Sequence, residues 1–139
     1  MAALISRLSD LWWPARLDID PDRFVVTYDR LSDTLFVDFF GRVCPSAVFF
    51  LDDGDLDDVA LLGDVETGRI VGIHIEALLA HAVERHPGWL DLLDVAELRG
   101  ITPAEVAEER RRRMVGERRR ATLAALLDEV GAGSPLPTR

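Results

Sequence analysis

Apolar and polar residues alternate with a period of two through the middle of this chain and take helical spacing on either side of it. Phe24, Val26 and Tyr28 alternate with Val25 and Thr27, and Leu35, Val37 and Phe39 alternate with Phe36, Asp38 and Phe40. A repeat of two puts alternate side chains on opposite faces of a strand. The two segments therefore predict a β-hairpin, with Asp29, Ser32 and Asp33 supplying turn-forming oxygens between them. A short apolar run at 47–51 and another at 59–65, separated by the acidic stretch 52–58, predict a second hairpin. Gly68 stands where a left-handed residue closes the next turn. Residues 69–75 complete the last strand, with Val71, Ile73 and Ile75 toward the core and Ile70, Gly72 and His74 on the other face.

From Glu76 the spacing becomes helical: Leu78, Leu79, Ala82 and Val83 share a face, and Pro87 stops the helix near His86. Trp89, Leu90, Leu92, Leu93, Val95 and Leu98 add core through short turns that close at Gly100. Thr102-Pro103-Ala104-Glu105 joins a capping box to a proline at the first helical position, a specific helix start. That helix runs through an arginine-rich middle, is weakened or bent at Gly116, and ends in an apolar stripe of Leu123, Leu126, Leu127 and Val130. Leu4, Leu8, Leu11 and Trp12 are spaced as a short amphipathic helix ending before Pro14. The chain thus reads as an α+β domain. Its body is an antiparallel β-meander of about five strands capped by a helix, flanked by a short N-terminal helix and a helical C-terminal extension. A single domain is expected over 1–100, a helical arm over 101–131 and a disordered tail over 132–139.

A length of 139 residues suits one core, and 48% hydrophobic with 29% charged residues excludes wholesale disorder. The net charge of -9 disfavours general binding to polyanions. Cys44 is the only cysteine, which excludes an intramolecular disulfide; beside Pro45 and with no histidine partner in sequence, it is not expected to be a catalytic thiol. Arg7 and Ser9-Asp10 interrupt any signal-peptide core near the start, and no segment approaches the ~20 apolar residues of a membrane span. A cytoplasmic protein without membrane contact is expected. Lys, Asn and Gln are absent, so all 16 basic residues are arginines. High G+C coding removes Lys and Asn, while the loss of Gln leans toward growth at high temperature.

The run VTYDRLSDTLFVDF (26–39), followed by GDVETGRIVGIHIEAL (63–78), resembles a small prokaryotic family known as domain of unknown function 2283. Tyr28, Asp29, Asp33, Leu35, Phe36, Gly68, Arg69, Val71, Gly72, Ile73 and Ile75 carry the resemblance, which spans residues 24–78. Phe36 stands where the family has Tyr, and His74 where it has Glu. The resemblance implies a β-meander followed by a helix and brings no activity with it.

Three constellations could carry chemistry. Asp53, Asp55 and Asp57 alternate as oxygen ligands for Ca²⁺ or Mg²⁺ would, but Asp58 and Asp64 occupy the places of an EF-hand's glycine and last glutamate. The bland reading is a solvated turn. His74, His81 and His86 with Glu76 and Glu84 lack the spacing of a zinc motif. Arg110, Arg111, Arg112, Arg113, Arg118, Arg119 and Arg120 set seven arginines against four glutamates between Glu105 and Arg120, a local excess that could lie along phosphates. Glu108 and Glu109, four residues before Arg112 and Arg113, favour intrahelical pairing instead, and nucleic acid is an unlikely partner. No nucleophile elbow, P-loop or dinucleotide fingerprint is present, so no catalytic residue and no cofactor are expected. The reading is a non-enzymatic interaction or assembly module that self-associates through the stripe of Leu123, Leu126, Leu127 and Val130. The alternatives are a metal-binding sensor or enzyme using 52–58, and a nucleic-acid accessory protein using the arginines.

Overall fold

The structure, a computed structural model, describes residues 4–41, 44–113, 119–134 and 136–139. Six strands form one mixed sheet: β1 (Val25–Asp29), β2 (Thr34–Asp38), β3 (Ser46–Phe50), β4 (Val59–Asp64), β5 (Ile70–Ile75) and β6 (Glu97–Arg99). Their spatial order is β3-β4-β5-β2-β1-β6. The α+β class is as the periodicity predicts, but the sheet is not one five-strand antiparallel meander. β3, β4 and β5 follow one another, the β1–β2 hairpin docks on the far side of β5, and β6 adds a sixth strand parallel to β1. The docking follows from matched apolar rows, since Leu35 lies opposite Ile75 and Val37 opposite Ile73. Strand alternation says which residues share a face; it does not say which hairpin meets which.

The core lies on one side of this sheet. Val26, Tyr28, Leu35, Val37, Val59, Leu61, Ile73 and Ile75 are all buried there. A wide helical turn, Leu78–Ala82, runs into α1 (Val83–Arg85), and a 3-10 segment, Pro87–Asp94, brings Trp89, Leu90, Leu92 and Leu93 into the same core. Then follow α2 (Pro103–Arg113) and α3 (Arg119–Gly133). The predicted capping box closes α2: the Thr102 N–H donates to Glu105 Oε2 at 2.7 Å and the Glu105 N–H to Thr102 Oγ1 at 3.2 Å. The bonds that the Thr102 N–H and hydroxyl donate to the Glu105 carboxylate hold its pKa below the usual value. Among the described residues, no helix is long and apolar enough to cross a membrane.

Three expectations about the flanks are corrected. The N-terminal segment is not an amphipathic helix. Only Leu8–Asp10 makes a 3-10 turn, because Trp12 and Trp13 give their main-chain groups to Gly68, Ile70, Pro137 and Arg139 in extended geometry. The described residues after 132 are not a frayed tail: Ser134 is buried, and Thr138 bridges to Trp13. The C-terminal helix is not an arm. Leu123, Leu126, Leu127 and Val130 are buried in the chain's own core, so an apolar stripe of this kind is satisfied internally and leaves no such surface for a second copy. Gly116, the expected bend, lies outside the described residues.

Candidate functional site

Tyr28, Asp29, Asp33, Gly68, Gly72 and His74 do structural work. The Tyr28 hydroxyl donates to Asp33 Oδ1 at 2.6 Å. The same carboxylate accepts the N–H groups of Leu79 and Ala80, each at 3.0 Å, and the Asp33 carbonyl accepts that of Leu78. Asp33 thus caps the helical turn that opens at Leu78, four strands further along the chain, and its left-handed backbone (φ 50°) aims it there. Burial and the bond to Asp33 push the Tyr28 pKa upward, so the phenol stays a donor. The Asp29 carboxylate receives the Leu31 N–H and shapes the turn. Gly68 (φ +81°) closes its turn where a Cβ would lie 2.5 Å from the Asp10 carbonyl oxygen, and at Gly72 a Cβ would lie 2.5 Å from that of Val37. His74 sits edge-on to Phe36, with ring centroids 4.7 Å apart, and burial lowers its pKa.

The acidic loop is clasped, not free. Its carboxylates Asp53, Asp55 and Asp57 do not converge; among the described residues, the one grouping with the geometry of a metal site is Asp57, Asp58 and His81. Those three donor atoms lie within 4.8 Å of one another, and their chemistry would suit a divalent cation. They are engaged already. His81 Nδ1 lies 2.6 Å from Asp58 Oδ2, and Arg85 donates to Asp57 Oδ1 at 2.7 Å and to the Gly54 carbonyl. His86 reaches the Asp55 carbonyl through Nε2 at 2.7 Å and Glu129 through Nδ1 at 2.9 Å. A cation would have to displace the Arg85 guanidinium and break the His81–Asp58 contact, so the arrangement is better suited to tying the β3–β4 loop to α1 and α3. The spacing of His81 and Arg85, one helical turn apart, is the signal that reveals it; His81 and His86 bind different parts of the loop, as their five-residue separation implies.

Three of the arginines, Arg110, Arg111 and Arg112, are likewise occupied. Arg110 is largely buried between Asp91 and Asp94 and bonds both. Arg111 pairs with Glu108, and Arg112 with Glu109 at 2.7 Å. These two pairs have a spacing of three residues; of the expected pairs at four, Glu109 with Arg113 involves a side chain outside the described residues. Arg118 and the side chains of Arg113, Arg119 and Arg120 lie outside the described residues.

What remains is the second face of the sheet. Its rows follow from the registers: Thr27, Phe36, His74, Ala60 and Phe50 form one, and Val25, Asp38, Gly72, Leu62 and Val48 the next. Val25, Val48 and Phe50 expose 49%, 43% and 47% of their surface, far more than strand residues on the inner face. Asp38 has turned its carboxylate onto the N–H groups of Phe40 and Gly41. Sequence reasoning passed over this face. The signal was the run Ala47-Val48-Phe49-Phe50-Leu51, apolar on both faces, a pattern that belongs to strands covered on both sides. In comparisons with known proteins, no family model, no curated protein and no solved structure matches this chain.

Proposed function

We propose that this chain is a non-enzymatic assembly module that self-associates through the open side of its sheet, β3 included. The observation that carries the reading is the exposure of Val48 and Phe50 on β3, on the face of the sheet opposite the core, with Val25 exposed on the same face four strands away in β1. Contiguous exposed apolar side chains mark association surfaces, and Val48 and Phe50 are neighbours on one face of β3. The groups that could have supported catalysis support this reading indirectly: Asp33, Asp57, Asp58, His81, His86 and Arg110 each hold one part of the fold to another. A second copy is the fitting partner. With a charge of -9 on each chain, association needs a region free of acid, and Ser46–Phe50 contains no charged residue.

The relation to domain of unknown function 2283 belongs to the same proposal, with Tyr28, Asp33, Gly68 and Gly72 as shared fold-holding residues; the lone Cys44 fits a reducing compartment. Size-exclusion chromatography with light scattering tests the reading. The full chain is expected to exceed its monomer mass of 15.5 kDa as concentration rises, and Val25→Ser with Phe50→Ser to return it there. A wild-type mass that stays at 15.5 kDa up to millimolar concentration contradicts it.

A further inference from the structure

Resting on that reading, we infer that two copies join edge to edge, β3 against β3 in antiparallel register about a two-fold axis at Val48, so that two sheets become one. The direction of the main chain in β3 carries the argument. The Leu51 N–H donates to the Val59 carbonyl at 3.1 Å, and the Val65 N–H to the Pro45 carbonyl at 2.9 Å. Residues 45 and 51 therefore turn their main-chain groups toward β4, as do 47 and 49 between them, because direction alternates along a strand. Ser46, Val48 and Phe50 turn theirs outward. β3 is the last strand on its side of the sheet, and no further strand lies beyond it among the described residues.

The outward residues are spaced symmetrically about Val48. Antiparallel pairing with a second copy sets Val48 opposite Val48 and Ser46 opposite Phe50, and each opposed pair exchanges two main-chain hydrogen bonds. The arrangement is self-complementary, as a two-fold interface requires. It also joins the exposed side chains of the two copies, because Val48 and Phe50 project on the open face, in the rows that lead through Ala60 and Leu62 to His74 and Gly72. Phe50 of one copy then covers the small Ser46 of the other. An unprotected apolar edge is what natural sheets avoid unless the edge is used.

Two variants test the geometry in the full chain. Val48→Pro removes an outward N–H while sparing the bonds to β4, a place where a strand tolerates proline. It is expected to weaken dimerisation by about tenfold or more, the loss of two main-chain bonds converted to affinity. Val48→Cys, in a Cys44→Ser background, is expected to form a 48–48 disulfide on mild oxidation. Opposed residues in such a pair have Cα atoms ~5.5 Å apart, within disulfide range, whereas stacked sheet faces stand ~10 Å apart and cannot be bridged. A dimer undiminished by Val48→Pro, or one that never cross-links through residue 48, overturns edge pairing while leaving association through the open face standing. A wild-type chain that is monomeric at every concentration overturns both.

Discussion

The two edges of the sheet are built differently. At one end β6 contributes three residues, and two of them, Glu97 and Arg99, are charged and exposed; at the other end β3 contributes five residues and no charge. A short charged edge repels another strand, and a long apolar one invites it. The ends also differ in how they are held. The β1–β2 end is tied to the helices by the Tyr28–Asp33 bond and the cap on Leu79 and Ala80, while β3, among the described residues, pairs only with β4. Polar bonds also reach the loop after β3, through His81, Arg85 and His86, so the contrast lies in the outer edge of β3 itself.

Substitutions can break that contrast in order of expected effect. Asp33→Ala removes a cap worth about 1 kcal/mol and leaves the buried Tyr28 hydroxyl without its acceptor, at a further ~1–3 kcal/mol. A loss of about 2–4 kcal/mol in urea unfolding is expected; a change under ~0.5 kcal/mol would show that the closed end is not held there. Tyr28→Phe removes only the bond and is expected to cost about 1 kcal/mol by the same measurement. At the open end, Phe50→Ser is expected to change the stability of the dilute monomer by less than about 1 kcal/mol, since the side chain is already half in water. A larger loss would mean that β3 is part of the closed core.

Acid provides a finer probe. Burial lowers the His74 pKa in the folded chain, so below about 6.5 the unfolded chain takes up a proton that the folded ring resists. Stability of the dilute monomer is expected to fall with pH from there, and His74→Phe to flatten that part of the profile in thermal melts. Glu105, held low by its bonds to Thr102, acts only at more acidic pH, where protonation removes its preference for the capped state. The smallest expected effect is that of metal. Ca²⁺, Mg²⁺ and Zn²⁺ should leave the melting temperature unchanged, because Arg85 already holds Asp57; a rise that Asp58→Asn abolishes would reveal a site at Asp57, Asp58 and His81.

Much of the inner sheet was legible because alternation is a local property. The alternate burial of Val26 and Tyr28, and of Leu35 and Val37, reads directly from the chain, as does the capping box at Thr102. The failures share a cause: an apolar pattern states that a face must be covered, without naming the cover. The helical spacing of Leu4, Leu8, Leu11 and Trp12 lost to main-chain bonds with Gly68 and Ile70, which are distant in sequence. Leu123, Leu126, Leu127 and Val130 asked for a partner and found it in their own chain. β6 carries too few residues to show a period, and the apolar run 47–51 asks for a cover on both faces, one of which stays exposed. Candidate chemistry misled for the same reason, since Asp53, Asp55 and Asp57 are regular in sequence while the neighbours of Asp57 in space are Asp58, His81 and Arg85.

Sedimentation equilibrium of the wild-type chain at several salt concentrations tests the central claim most directly. An apolar edge that joins two chains of charge -9 must work against their repulsion, which salt screens. The fraction with twice the 15.5 kDa monomer mass is expected to grow as salt rises. A chain that remains monomeric throughout, or a dimer that dissociates as salt is added, contradicts assembly through β3.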